Sequence, residues 1–142
     1  MKIIIFVCHG NICRSPVASI IFNKLVKEKG LDERYFAISR ATSLEEIGND
    51  IYPPMKKVLK DHQVSFDRHY ATRLTKEEIN EATAIYYMDE NNLYYLKRLF
   101  GENEKYKPLD NFDIEDPWYT GRYEYVYQRI LAAINKIVDH LN

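Results

Sequence analysis

Five apolar residues, Ile3 to Val7, run without interruption into Cys8-His9-Gly10-Asn11-Ile12-Cys13-Arg14-Ser15-Pro16. A run this short and this rich in branched side chains is the pattern of a strand covered on both faces, as in a parallel sheet. Pro16 suits a first helical position, and Ala18, Ile21, Phe22, Leu25 and Val26 then recur at helical spacing until Gly30. Strand, connection and helix form the opening unit of an α/β fold, whose ligands bind beyond the carboxyl ends of the strands. Cys8 lies at such an end.

The alternation continues. Tyr35 to Ser39 reads as a second strand, and Pro53 and Pro54 open a helix with Met55, Val58 and Leu59 on one side. Thr75 with Glu78 forms a capping box for a short helix, and Ala84 to Met88 is the next strand. Asp89 caps a helix carrying Leu93, Leu96 and Phe100 inward, after which Tyr106 to Leu109 offers a short last strand. A long amphipathic helix closes the chain with Val126, Ile130, Ile134, Ile137, Val138 and Leu141. The pattern predicts an α/β fold, a mostly parallel four-stranded sheet with helices on both faces and right-handed crossovers. No repeat or Gly, Pro or Ser-rich linker divides the 142 residues, so residues 1–142 read as a single domain. Between Asp110 and Gly121 a polar, turn-prone stretch contains Asp116, Pro117, Trp118 and Tyr119, and a loop of this kind is a place for function.

Composition narrows the partners. Twenty Lys and Arg against 21 Asp and Glu give no charge excess for nucleic acid or an anionic membrane. No apolar run is long enough to span a bilayer, and nothing reads as a signal segment. The only two cysteines, Cys8 and Cys13, are too close together to staple a secreted fold, which points to a cytoplasmic location. The histidines at 9, 62, 69 and 140 are dispersed and the cysteines lack zinc-site spacing, so neither metal nor other cofactor is expected.

The chemistry concentrates in Cys8 to Ser15. Between a strand end and a helix start, successive backbone N–H groups of His9, Gly10, Asn11, Ile12 and Cys13 can converge on one anion. The same dipoles and a nearby guanidinium favour a thiolate, which makes Cys8 a nucleophile. Arg14 can present a planar fork to two phosphoryl oxygens, and Ser15 can donate to the Cys8 sulfur when it leaves. Taken alone, Cys8 could be a small buried side chain ending a strand, and Asp116 before Pro117 an ordinary turn residue. The ordered set of strand, Cys, Gly, Asn, Arg, Ser, Pro and helix favours the phosphate site.

Val7 to Pro16 resembles the signature loop of the low-molecular-weight protein tyrosine phosphatases, and Asp116-Pro117-Trp118-Tyr119 resembles that family's acid loop. The likeness runs from Lys2 to about Leu141. It implies hydrolysis of phosphotyrosine in proteins through a cysteinyl phosphate, with inorganic phosphate as product. Cys8 would be the nucleophile, Arg14 the phosphate clamp and Asp116 the general acid. It further implies that Ser39 and His69 hold Asn11 in a left-handed conformation and that Cys13, which could otherwise be inert packing inside the loop, serves as a resolving thiol for Cys8; the protein is expected to be a monomer or weak homodimer. Ile12, Trp118 and Tyr119 would flank an aryl ring, although loop aromatics also serve as packing anchors.

Departures from the family pattern are Ser19, Arg40 and Glu45. Glu45, followed by Glu46, places acid where many relatives carry tryptophan, and an acidic rim should favour basic residues around phosphotyrosine. Thioredoxin-coupled arsenate reductases share the loop but need cysteines beyond Cys13, and this chain has none. Two alternatives stay open at this point: a protein-arginine phosphatase and a phosphate-binding adaptor without turnover.

Overall fold

The computed structural model describes residues 1–142. Strand β1 (Lys2–Cys8) is flanked by β2 (Tyr35–Ala41) and β3 (Ala84–Tyr87), with β4 (Tyr106–Pro108) at the far edge. All pairings are parallel, in the order β2-β1-β3-β4, so the sheet is wholly rather than mostly parallel. The register sets Cys8 opposite Ala41 and Val7 opposite Tyr87, which brings the carboxyl ends of three strands to one edge.

Strand alternation divides the core in two. Ile4, Phe6 and Cys8 face a layer made by α1 (Arg14–Glu28), α2 (Pro53–Asp61) and α6 (Tyr123–Asp139). Ile5 and Val7 face the opposite layer, where α3 (Lys76–Glu81) supplies Ile79 and α4 (Glu90–Phe100) supplies Leu96. Phe6 is wholly buried between Phe22 and Tyr86, with ring centroids 5.8 and 5.7 Å away. Burial of such a side chain contributes about 1.5–3 kcal/mol.

Differences from the sequence reading are local. Helix α1 begins at Arg14, so Pro16 occupies its third position. Proline is tolerated there because none of the first four helical N–H groups has an intrahelical partner. Strand β2 continues two residues beyond Ser39 because its pairing with β1 persists to Cys8 and Ala41. Strands β3 and β4 each stop one residue sooner than expected. The stretch after Asp110 contains a one-turn helix, α5 (Pro117–Thr120), capped by Asp116. The expected capping box of Thr75 with Glu78 forms, and Asp89 caps α4 as expected, its cap closing into a second box with Asn92.

Ile130, wholly buried on α6, is a direct probe of this packing. Ile130→Ala should cost about 2–5 kcal/mol. In urea unfolding this appears as a lower midpoint with an unchanged slope; an unchanged midpoint would show that α6 does not help hold the core.

Candidate active site

The connection between β1 and α1 wraps around the Cys8 sulfur. Asn11 N and Ser15 N lie 3.3 and 3.5 Å from Cys8 Sγ, and Ser15 Oγ lies at 2.9 Å. Asn11 Nδ2 donates to Ser15 Oγ at 2.8 Å, which occupies a lone pair and frees the hydroxyl proton for the sulfur. The N–H groups of Gly10, Ile12, Cys13 and Arg14 donate to no other group of the protein, and Cys13, the N-cap of α1, makes no side-chain cap. An anion above the sulfur would meet these donors and the positive end of α1.

Asn11 has φ of 60°, in the left-handed region that a non-glycine residue enters at a cost of about 1–2 kcal/mol. Three contacts hold it there besides burial. Its Oδ1 accepts from Thr72 N at 3.0 Å, its Nδ2 donates to Ser15, and its carbonyl accepts from His69 Nε2 at 2.6 Å. His69 therefore acts on the backbone of Asn11. Ser39 does not take the expected part: it is buried in β2, but no hydrogen bond joins its hydroxyl to Asn11. Thr72 N and Ser15 Oγ are the partners of that amide instead.

From outside, the segment after β2 straps the loop, with Thr42 N bonded to Cys8 O and Ser43 N and Oγ to His9 O. A Cβ at Gly10 would stand 3.2 Å from Glu46 Cγ, so any larger residue there would push the Glu46 stem aside by a few tenths of an ångström.

Arg14 is only 2% exposed. Its Nη1 donates to Asp89 Oδ2 at 2.7 Å and to Ile114 O at 2.8 Å, while Nη2 stands 3.5 Å from Asp116 Oδ2. Burial pulls the guanidinium down, but Cys8, Asp89 and Asp116 together raise it above its ordinary value and fix its charge. In the sequence Asp89 reads as a helix cap, and in the structure it also anchors Arg14. It performs both tasks, with Oδ1 accepting from Asn92 N and Oδ2 from Arg14. The signal was masked because an Asp before a helix is fully explained by capping alone.

In the cleft that Cys8 lines, Asp116 Oδ1 accepts from Trp118 N at 3.0 Å, and Oδ2 stands near Arg14 Nη2. Trp118 packs on Tyr52 at 4.8 Å, and Tyr52 lies 6.2 Å from Tyr123. Burial first, then the neighbouring Cys13, Tyr52 and Asp116, pushes Tyr123 up to about 12, which keeps its phenol neutral. Tyr119 stands out from the surface at 83% exposure. Cys13 is buried, and desolvation, Cys8 and Asp116 push its thiol well above the ordinary range. Both cysteines are free.

One cleft gathers Cys8, His9, Gly10, Ile12, Cys13, Arg14, Glu45, Asp116, Trp118 and Tyr119 of the expected site, together with Glu46 of the expected acidic rim. Asn11, Ser15 and His69 lie behind its wall. On the rim, His9 Nε2 and Glu45 Oε2 are 2.9 Å apart, and Glu46 Oε2 accepts from Asn49 at 2.6 Å.

A thiol within an N–H cradle, a buried guanidinium beside it and a carboxylate in the same cleft define a cysteine-based site for a phosphoryl group. The sequence comparisons agree with that chemistry. A family model described as low molecular weight phosphotyrosine protein phosphatase matches residues 3–142, and the chain belongs to this family. The human low molecular weight phosphotyrosine protein phosphatase is 36% identical over 150 residues, covering 97% of this chain and 94% of that protein. The crystal structure of YfkJ from Bacillus subtilis superposes with a TM-score of 0.93 at 32% identity, covering 98% of this chain and 93% of that one. SP-PTP, a low molecular weight protein tyrosine phosphatase from Streptococcus pyogenes, gives 0.90 at 31% identity, covering 100% and 94%.

His69 links the site to pH. Burial, the largest influence, lowers it below its ordinary value despite the upward pull of Asn11 O and Asp50. A histidine whose folded value lies below its unfolded one contributes stability fully above about 6.5 and loses it as pH falls through the folded value. The melting temperature should therefore fall less between pH 7 and 5 in His69→Gln than in the parent. Parallel pH profiles for the two proteins would refute the link.

Proposed function

We propose that the protein hydrolyses phosphotyrosine in proteins through a cysteinyl phosphate on Cys8. The observation that carries this reading is the Cys8 sulfur held by Ser15 and the loop N–H groups, with the Arg14 guanidinium pinned beside it.

Phosphate binding begins with the free N–H groups of the loop and the part of the Arg14 fork that Asp89 leaves available. Both meet the equatorial oxygens, where charge spreads as the transition state forms. Cys8 Sγ attacks phosphorus in line; the S–P bond forms as the P–O bond to the aryl oxygen breaks. Asp116, protonated in this step, transfers its proton to that oxygen, so tyrosine leaves as the neutral phenol. Water then attacks the cysteinyl phosphate, the Asp116 carboxylate takes its proton, and the S–P bond breaks to release inorganic phosphate. Ser15 Oγ, at 2.9 Å, stabilises the departing thiolate.

An aryl substrate is supported by the cleft walls, where Ile12, Trp118 and Tyr119 can flank a ring. Trp118 is fixed for this by its contact with Tyr52, while the acidic rim of Glu45 and Glu46 favours basic residues around the phosphotyrosine.

Turnover of an aryl phosphate, of phosphotyrosine peptides with Lys or Glu flanks, and of a phosphoarginine peptide tests the reading. Activity on tyrosyl substrates should disappear in Cys8→Ser, fall about 10²–10⁴-fold in Asp116→Ala and fall on the order of 10²–10³-fold in Arg14→Lys. Lys-flanked peptides should have the higher kcat/KM. A preference for phosphoarginine, or phosphopeptide binding without turnover, would overturn the assignment.

A further inference from the structure

The segment that carries Asp116 has little regular structure of its own between β4 and α5. Its inner side is fixed: Ile114 is wholly buried, its N bonds Met88 O at 2.8 Å, and its carbonyl accepts from Arg14. On its outer side, residues 110–113 are gathered by one side chain. Arg129 Nη1 donates to Asp113 O at 2.7 Å, and Nη2 donates to Phe112 O at 3.0 Å and to Asp110 Oδ2 at 2.9 Å.

Three acceptors spread over four residues thus converge on one planar fork, a geometry that lysine cannot reproduce. The Arg129 side chain is 18% exposed, and the next residue, Ile130, is wholly buried. The fork therefore projects from the rigid part of α6. Asp110 is kept below the ordinary carboxylate range: burial acts upward, but hydrogen bonds from Arg129 and from Asn111 N, and the Arg129 charge, outweigh it. A second outer tie, from Glu115 to Arg122 at the N-cap of α6, is more exposed and reaches only the end of that helix.

We propose that Arg129 is a positioning residue for the general acid, holding Asp110 to Asp113 against α6 so that Asp116 stands in the cleft that Cys8 lines. This rests on the proposed role of Asp116. Two of the three acceptors are main-chain carbonyls, so the restraint acts on the path of the backbone. Arg129 does not touch the cleft and contributes nothing to phosphate binding.

Leaving-group dependence separates this role from a general effect on folding. A general acid matters most when the departing phenol is weakly acidic and least when it is strongly acidic. In Arg129→Ala, kcat for an aryl phosphate with a weakly acidic phenol should fall about tenfold, and for one with a strongly acidic phenol by less than about threefold, with KM little changed. Arg129→Lys, which keeps the charge but cannot reach all three acceptors, should fall in between and serves if the alanine variant does not fold. Asp116→Ala should show the larger form of the same selectivity, and adding Arg129→Ala to it should not increase that selectivity. If Asp116→Ala shows the selectivity but neither Arg129 variant does, or if both substrates decline equally, Arg129 is not a positioning residue. If Asp116→Ala itself shows no selectivity, the assignment of the acid fails and this inference fails with it.

Discussion

The pairing of Arg14 with Asp89 joins the first turn of α1 to the end of β3 and the start of α4. An unpaired guanidinium at 2% exposure would be severely penalised by loss of water, and removing one partner of such a pair generally costs about 3–5 kcal/mol. Asp89 therefore makes possible the burial of a permanent cation beside Cys8. The same cation holds Ile114 O on the acid segment and faces Asp116. Nucleophile, clamp and acid are thus referred to one buried charge, and their geometry follows from it.

The loop around Cys8 is organised in advance of any ligand. Asn11 occupies a conformation that ordinary residues avoid, and its hydrogen bonds to Ser15, Thr72 and His69 offset that strain with a net contribution of about 1 kcal/mol each. Left-handed geometry at this position lets Asn11 N turn toward the sulfur while its amide braces Ser15. Stabilisation of this kind requires little reorganisation when a phosphoryl group arrives, which is the source of its catalytic value. The opposite wall is built from packing: Trp118 rests on Tyr52, and Tyr52 neighbours Tyr123 on α6.

Much of this was legible in the sequence because strong local signals coincided with global ones. The apolar run before Cys8 and the helical spacing after Pro16 each specify one element, and the glycine and asparagine between them suit a tight anion loop. Asp89 and Asn92 were readable as a cap, but the second task of Asp89 depends on a contact 75 residues away in sequence, which no local pattern encodes. Ser39 was expected to brace Asn11, whereas the bond comes from Thr72 N, a main-chain group with no signature of its own. Arg129 was hidden for a related reason. On an amphipathic helix it looks like any solvent-facing cation, and its three acceptors are visible only once the acid segment is folded over it.

The central claim is that phosphate passes through the Cys8 sulfur. Rapid acid quench during turnover of a phosphotyrosine substrate, followed by peptide mapping by mass spectrometry, tests it most directly. A phosphate mass on Cys8 that appears and decays at rates matching turnover, with none on Cys13 or His9, is the expected result. Steady turnover with no phosphate on Cys8, or with phosphate on another side chain, would contradict the claim.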